Sequence, residues 1–364
     1  MNKPRGTARA ESLRRRKRFA LWSFLFILLL AVCLPLMGYL SSEPVAVRAE
    51  QTTESTNPHA NFWRAVREGV PGYSGVEGQE RGVLIQNGGQ NWREIRNGLV
   101  ASISPWVLAV VFFGIGLFFI INGQDKLEER PSGERIRRWS LAERALHWVT
   151  ATLFVVLAVT GFSMLFGRRV LIPVFGLHGF GGYAQVAKTI HNYTGPFFFA
   201  GILLEIIAWV KYNIPKKMDF VWFKNLGRMV GSGPRPHAGR INGGEKAWFW
   251  IMATIGAAVC IAGLVMDFPN FGQTRLTMQI ANIVHASLAT LFLAASLGHI
   301  YIGTIGAEGT FEGMWKGDVS AEWAKQHQDL WYEEKVGEKL GATGETSQQV
   351  AEKGFFMMSE EPPG

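Results

Sequence analysis

Residues 282–304 read NIVHASLATLFLAASLGHIYIGT, an apolar run with no charged side chain, interrupted by two imidazoles, His285 and His299. About 20 such residues in a helix cross the hydrocarbon core of a bilayer. A polar side chain inside such a span is costly and usually functional. The two histidines are fourteen positions apart. At 100° per residue they return to within about 40° of one face, and at 1.5 Å rise they lie roughly 21 Å apart along the axis. One helix therefore presents two imidazoles to one interior channel, one near each membrane surface.

The rest of the chain has the same character. Of 364 residues 48% are hydrophobic and 18% charged, below the roughly 25% charged of a soluble domain. Six windows have membrane length: about Phe19–Leu40, Pro105–Asn122, Leu146–Phe166, Ile190–Val210, Ala247–Met266 and Met278–Ile305. They are nearly free of charge and too many for the buried helices of a soluble protein. The fold class expected is an all-α integral membrane protein. The two cysteines, Cys33 and Cys260, both lie in apolar windows, so metal-site spacing is absent and an iron–sulfur cluster or a disulfide is not expected in this chain.

Charge sets the topology. The net charge of +8 comes from Lys and Arg gathered in particular loops, the pattern of a membrane protein with positive loops inside and not of a nucleic-acid binder. Arg14–Arg18 flanks the first window, and the loops 123–139 and 211–246 are basic; all three are expected in the cytoplasm. The expected divisions are 1–49, a signal peptide or N-terminal anchor; 50–104, a periplasmic segment carrying Trp63, Tyr73 and Trp92; 105–122, an extra transmembrane helix; 140–305, a four-helix bundle; and 306–364, a cytoplasmic tail whose end, Gly341–Gly364, reads as disordered.

Four of the eight histidines fall inside the windows. His147 opens the third window on the cytoplasmic side, and His191 opens the fourth on the periplasmic side. His147 completes the inner site with His299, and His191 the outer one with His285. A single intramembrane histidine is commonly an interhelical hydrogen bonder. Four at two matched depths point instead to neutral imidazoles on both sides of an iron, the axial set of an electron-transferring b-type heme. Gly161 and Gly195 allow a helix backbone to approach a porphyrin. Arg144 and Lys188, three residues before His147 and His191, share the ligands' faces toward water and are candidate partners of heme propionates, with interface anchoring as the plainer role. His59, His178, His237 and His327 fall outside the windows and read as surface residues. Glu205, fourteen residues after His191, faces the same channel; it reads more simply as paired with Lys211 or reaching to the surface than as a proton relay.

These residues resemble a known family. The stretches RALHWVTATLF (144–154), KTIHNYTGPFF (188–198), GRINGGEKAWFW (239–250), NIVHASLATLFLAASLGHIYIGT (282–304) and GTFEGMWKGDVSAEWAKQH (309–327) are similar to the gamma subunit of respiratory formate dehydrogenase, a cytochrome b556. Residues 61–98 resemble the N-terminally extended form of that subunit. The histidine-bearing stretches are shared with the cytochromes b of hydrogenases and thiosulfate reductases; the Asn-Gly-Gly turn and the tail favour the formate branch.

The resemblance implies a four-helix heme-binding bundle with two b-type hemes in a multi-pass protein of the bacterial inner membrane. Its partners would be a molybdenum or tungsten catalytic subunit and an iron–sulfur subunit, with the lipid bilayer and no nucleic acid. It also implies reduction of menaquinone or ubiquinone near the inner heme, by His299 and the turn at Asn242 and Gly244; Glu245 stands where the family commonly has Gln. Asn-Gly-Gly also reads as a plain turn or N-cap. Electrons are expected to enter at His191 and His285, cross to His147 and His299, and reach quinone on the cytoplasmic side. The rivals are a cytochrome b of a hydrogenase or another molybdenum enzyme, a stand-alone cytochrome b561 oxidoreductase, and a proton-conducting transporter without heme.

Overall fold

A computed structural model describes residues 64, 67, 68, 87–230 and 234–343 of the chain. The first window, Phe19–Leu40, and the end of the tail past Thr343 lie outside the described residues. Helix α1 (Asn87–Glu94) runs through a π-helical turn, Ile95–Val100, into α2 (Ala101–Asn122). Strand β1 (Arg135–Arg137) precedes α3 (Leu141–Val170), α4 (Ile172–Trp209) and the short α5 (Lys217–Asn225). Helix α6 (Gly243–Ile251) passes through a second π turn, Met252–Gly256, into α7 (Ala257–Asp267). Then come α8 (Arg275–Tyr301) with a third π turn, Ile302–Gly306, and α9 (Thr310–Lys316), β2 (Asp318–Ser320), α10 (Ala321–His327) and α11 (Asp329–Thr343).

Among the described residues five helices are long and apolar enough to cross a membrane: Gly89–Asn122, Leu141–Val170, Ile172–Tyr212, Gly243–Asp267 and Arg275–Gly306. The protein is a multi-pass membrane protein of helices. Their outward faces carry large apolar side chains in the open, Phe113, Ile120, Val159 and Ile207 among them, each at least 60% exposed. So continuous an apolar belt suits hydrocarbon and not water.

The helices begin and end later or earlier than hydropathy alone places them. The helix expected over 105–122 starts at Asn87, and Trp92, read as part of an irregular segment, lies in it and donates from Nε1 to Asn282 Oδ1 of α8 at 3.2 Å. Helix α4 starts well before Ile190, so His191 sits mid-helix and His178 is helical and exposed. Polar side chains fix the starts. Ser140 accepts from Glu143 N at 3.2 Å while the Glu143 carboxylate accepts from Ser140 N at 2.8 Å; Asn242 and Glu245 repeat this at α6, both contacts 3.0 Å. Such reciprocal caps satisfy backbone N–H groups that a helix start leaves open.

Helices α3, α4, α6–α7 and α8 form a bundle around Phe154, Phe198, Ile202, Trp248, Met252 and Phe292. Neighbouring backbones pack as α3 on α4, α4 on α7, and α7 on α8, with α2 outside against α8. Helix α8 reaches α3 through side chains such as Phe292 on Phe154, their rings 5.4 Å apart.

The segments between α2 and α3, between α4 and α6, and after α8 gather at one end as a cap. Strand β1 pairs antiparallel with β2, Arg135 opposite Ser320. Asp125 N donates to Gly306 O at 2.9 Å, Arg235 grips the Asp125 carboxylate with two bonds of 2.7 and 2.9 Å, and Leu330 N donates to Ala238 O. Gly317, at φ +96°, turns its carbonyl to accept from both Arg138 N and Trp139 N, and a Cβ there would fall 2.9 Å from Trp139 O; the left-handed conformation suits glycine. His327 belongs to this cap and not to the open surface. It packs on Trp323, ring centroids 5.2 Å apart, and burial lowers its pKa to about 4, so it is neutral. His237 is at the surface, paired with Asp329, which raises its pKa.

A buried ion pair joins α5 to the bundle. Lys246 Nζ lies 2.8 and 3.1 Å from the Asp219 carboxylate, and both side chains are under 10% exposed. Asp219 also accepts from Lys216 N at 2.6 Å. Removing one partner of a buried pair typically costs about 3–5 kcal/mol, whereas removing both charges is far milder. Lys246→Met should therefore lower the thermal midpoint in detergent sharply. Lys246→Met with Asp219→Asn, which keeps an acceptor for Lys216 N, should recover most of it. Equal midpoints for the parent and the single variant would show that the pair contributes nothing.

Candidate functional site

The four intramembrane histidines meet in two pairs. His147 of α3 and His299 of α8 have ring centroids 6.2 Å apart with planes at 72°; His191 of α4 and His285 of α8 have centroids 6.0 Å apart at 79°. His299 and the start of α3 lie at the capped end, and His285 lies fourteen residues back along α8, so the pairs sit at two depths roughly 21 Å apart along the helix.

The pair away from the cap is backed by oxygen atoms. Thr160 Oγ1 lies 2.7 Å from Val156 O, 3.3 Å from Leu157 O and 2.9 Å from His191 Nδ1. With the hydroxyl proton on either carbonyl, Thr160 accepts from His191 Nδ1–H. His285 likewise has Nδ1 2.9 Å from Val259 O, a carbonyl that can only accept. His285 thus keeps its Nε2 lone pair for an electrophile, as does His191 when Thr160 accepts from its Nδ1. A carbonyl or hydroxyl behind the ring is the usual support of a metal-binding histidine. Glycines make room for these rings. A Cβ at Gly161 would come within 3.0 Å of His191 Cε1, and one at Gly263 within 3.2 Å of His285 Cε1.

At the capped end His299 is held by stacking. The Trp248 ring lies parallel to it, 4.4 Å between centroids and 8° between planes, and Trp248 stacks in turn on Phe292. Trp148 sits beside His147 and donates from Nε1 to Met314 O at 3.2 Å.

The other expected site residues fall as follows. Arg144 donates to Trp315 O at 2.6 Å, which ties α3 to α9. Lys188 is exposed and within electrostatic reach of Asp267. Gly161 lies against His191, and a Cβ at Gly195 would meet no protein atom within 4 Å. Asn242 and Glu245 are engaged in their mutual cap; Glu245 also accepts from Arg138 Nη2 at 2.6 Å and Gln328 Nε2 at 3.0 Å. Gly243 and Gly244 lie flat on Trp222, where a Cβ would fall 3.1 and 2.4 Å from the ring side chain. Glu205 neither reaches the surface nor pairs with Lys211. It is 6% exposed beside Thr150, while Lys211 lies over the Tyr212 ring.

Sequence reasoning missed Thr160, Gly263 and Trp248. Thr160 had a legible signal, a hydroxyl in an apolar run directly before Gly161. The Trp248 stack had none, because it depends on how α6 meets α8.

A family model described as prokaryotic cytochrome b561 matches residues 138–317, the stretch containing all four histidines. The formate dehydrogenase cytochrome b556 subunit of Haemophilus influenzae is 30% identical over 242 residues, covering 62% of this chain and 98% of that relative. The chain belongs to the prokaryotic cytochrome b561 family. Two proteins of Escherichia coli, the nitrate-inducible cytochrome b556(Fdn) subunit and the cytochrome b556(fdo) subunit of formate dehydrogenase, are each 28% identical over 55% of this chain and 91% and 93% of their own lengths. As a cytochrome b561 family member the chain is a membrane cytochrome b that works in electron transfer and holds b-type heme.

The contact of Gly161 with His191 gives a direct test. Gly161→Val should lower the heme bound per chain, measured as pyridine hemochrome, because the new side chain displaces the imidazole. Gly116→Ala, where a Cβ meets nothing within 4 Å, should leave it unchanged. Full heme content in Gly161→Val would contradict the placement of that ring.

Proposed function

We propose that this chain is the di-heme cytochrome b subunit of a respiratory formate dehydrogenase, carrying electrons from an iron–sulfur partner across the bacterial inner membrane to quinone. The observation that carries the reading is the spacing of the two histidine pairs. Metal–imidazole bonds are about 2.0–2.1 Å, and with about 1.1 Å from nitrogen to ring centre, two rings on opposite sides of one metal stand about 6.3 Å apart. The pairs stand at 6.0 and 6.2 Å. The Nε2 lone pairs of His191 and His285, the open surroundings of Gly195 and the side-chain-only approach of α8 to α3 all fit a flat macrocycle between helices.

His147 and His299 would hold one heme and His191 and His285 the other; so held, the two supply one-electron carriers near both membrane surfaces. Holding each heme by two imidazoles, these residues would favour electron transfer over oxygen chemistry. Arg144 and Lys188 stand one turn before His147 and His191 on the ligand helices, from which they would reach heme propionates.

Quinone is assigned to the capped end, at His299 and the Asn242–Gly244–Glu245 turn. The Asn242 and Glu245 side chains are bonded within their own cap, so the turn is a rigid start to the helix whose Trp248 stacks on His299. The basic loops at this end support a cytoplasmic side for it. The formate-oxidising molybdenum or tungsten subunit and the iron–sulfur subunit would then dock at the opposite, periplasmic end. The names of the relatives support formate as the donor.

Two experiments test this. His191→Ala and His285→Ala should each remove the same one of two hemes, and His147→Ala the other; two full hemes in any of them would break the pairing. In sealed proteoliposomes of the complex, formate and quinone should build a potential positive on the side away from the cap, and an uncoupler should raise turnover. Each electron moved fully against the field works against about 2.3 kcal/mol per 100 mV. Full-rate turnover without any potential would put quinone on the other face.

A further inference from the structure

The two histidine pairs are supported differently, and the difference lies behind the rings. In the pair away from the cap, His191 Nδ1 lies 2.9 Å from Thr160 Oγ1, and His285 gives its Nδ1 proton to Val259 O at 2.9 Å. Among the described residues neither His147 nor His299 has such a bond; His299 is instead stacked on Trp248. An acceptor on Nδ1–H makes the imidazole a stronger donor at Nε2. A stronger axial donor favours the oxidised, more positive iron, and hydrogen bonding around the ligands is one of the levers that set a heme potential.

We propose that Thr160 is a positioning residue that fixes the tautomer of His191 and, with the Val259 carbonyl, holds the heme of that pair at a lower potential than the heme of the capped pair. This rests on the ligand assignment above. Thr160 is suited to the role. It is 7% exposed, and Val156 O and Leu157 O, 2.7 and 3.3 Å away, both offer its proton an acceptor, which leaves the oxygen for His191 Nδ1–H. Gly161, the next residue, lets the imidazole lie against α3 at the distance this bond needs. The resulting order of potentials makes the transfer toward the capped end downhill.

The test is a redox titration of the purified holo-complex with Thr160→Val and Thr160→Ser, alongside His191→Ala. Thr160→Val should raise the lower of the two midpoint potentials, leave the higher one in place, and change the low-spin EPR signal of the same heme. Thr160→Ser, which keeps the hydroxyl, should restore both. Should Thr160→Val fail to retain that heme, its retention in Thr160→Ser would show the same positioning effect through occupancy, and its loss from both variants would overturn the proposal. Unchanged potentials and EPR signals in Thr160→Val at full heme content would also overturn it, as would a shift of the higher potential alone. His191→Ala separates the two levels of the argument: if it kept both hemes, the ligand assignment itself would fail, whatever Thr160 did.

Discussion

Two imidazoles on one face of α8, fourteen residues apart, constrain nearly everything else in the bundle. A polar ring in hydrocarbon has to be matched by a partner at its own depth. Helix α8 poses that demand twice, and α3 and α4 answer it once each, with His147 near the start of one helix and His191 midway along the other. The rings meet while the backbones of α3 and α8 stay apart. This explains why small residues lie behind the rings. Gly161 and Gly263 are placed where an imidazole must lie flat against a neighbouring backbone.

The same economy governs the polar groups that serve the rings. In water a threonine hydroxyl has many partners. Inside a span Thr160 has a carbonyl one turn back and an imidazole in front, and both of its bonding roles are filled. Val259 O plays the matching part from α7. Support comes from side chains and backbone of the helices that border the pair, without any loop entering the bilayer, as a lipid environment requires.

The histidine pairs were legible in the sequence because helix periodicity converts spacing into face and depth, and α8 is a single uninterrupted helix. The membrane class was legible because five or six nearly charge-free windows of bilayer length could not all be buried inside one soluble domain of this size. The helix boundaries were less so. Hydropathy falls at Asn87–Glu94 and at Ile172–Lys188, where the helices continue as polar or glycine-rich turns held by contacts such as Trp92 to Asn282. Asn242 and Glu245 read equally as a turn and as a binding motif; their mutual cap shows the first role and leaves the second to chemistry that side-chain geometry does not supply. His327 looked like a surface residue because its polar neighbours, Arg235, Asp125 and Glu245, come from three separate stretches of chain.

The cap has a bearing on the order in which the molecule is made. Strand β1 ends at Arg137, yet its partner β2 begins at Asp318, and Asp125 waits for Gly306 and Glu308. Every helix of the bundle is synthesised between these partners. During elongation at the ribosome the first basic loop therefore emerges with its backbone donors and acceptors unmatched. Contacts of such large sequence separation form late, after shorter-range packing has drawn their ends together. The chain lays down its helices first and fastens that end of the bundle last, with its own carboxy-terminal segment as the clasp.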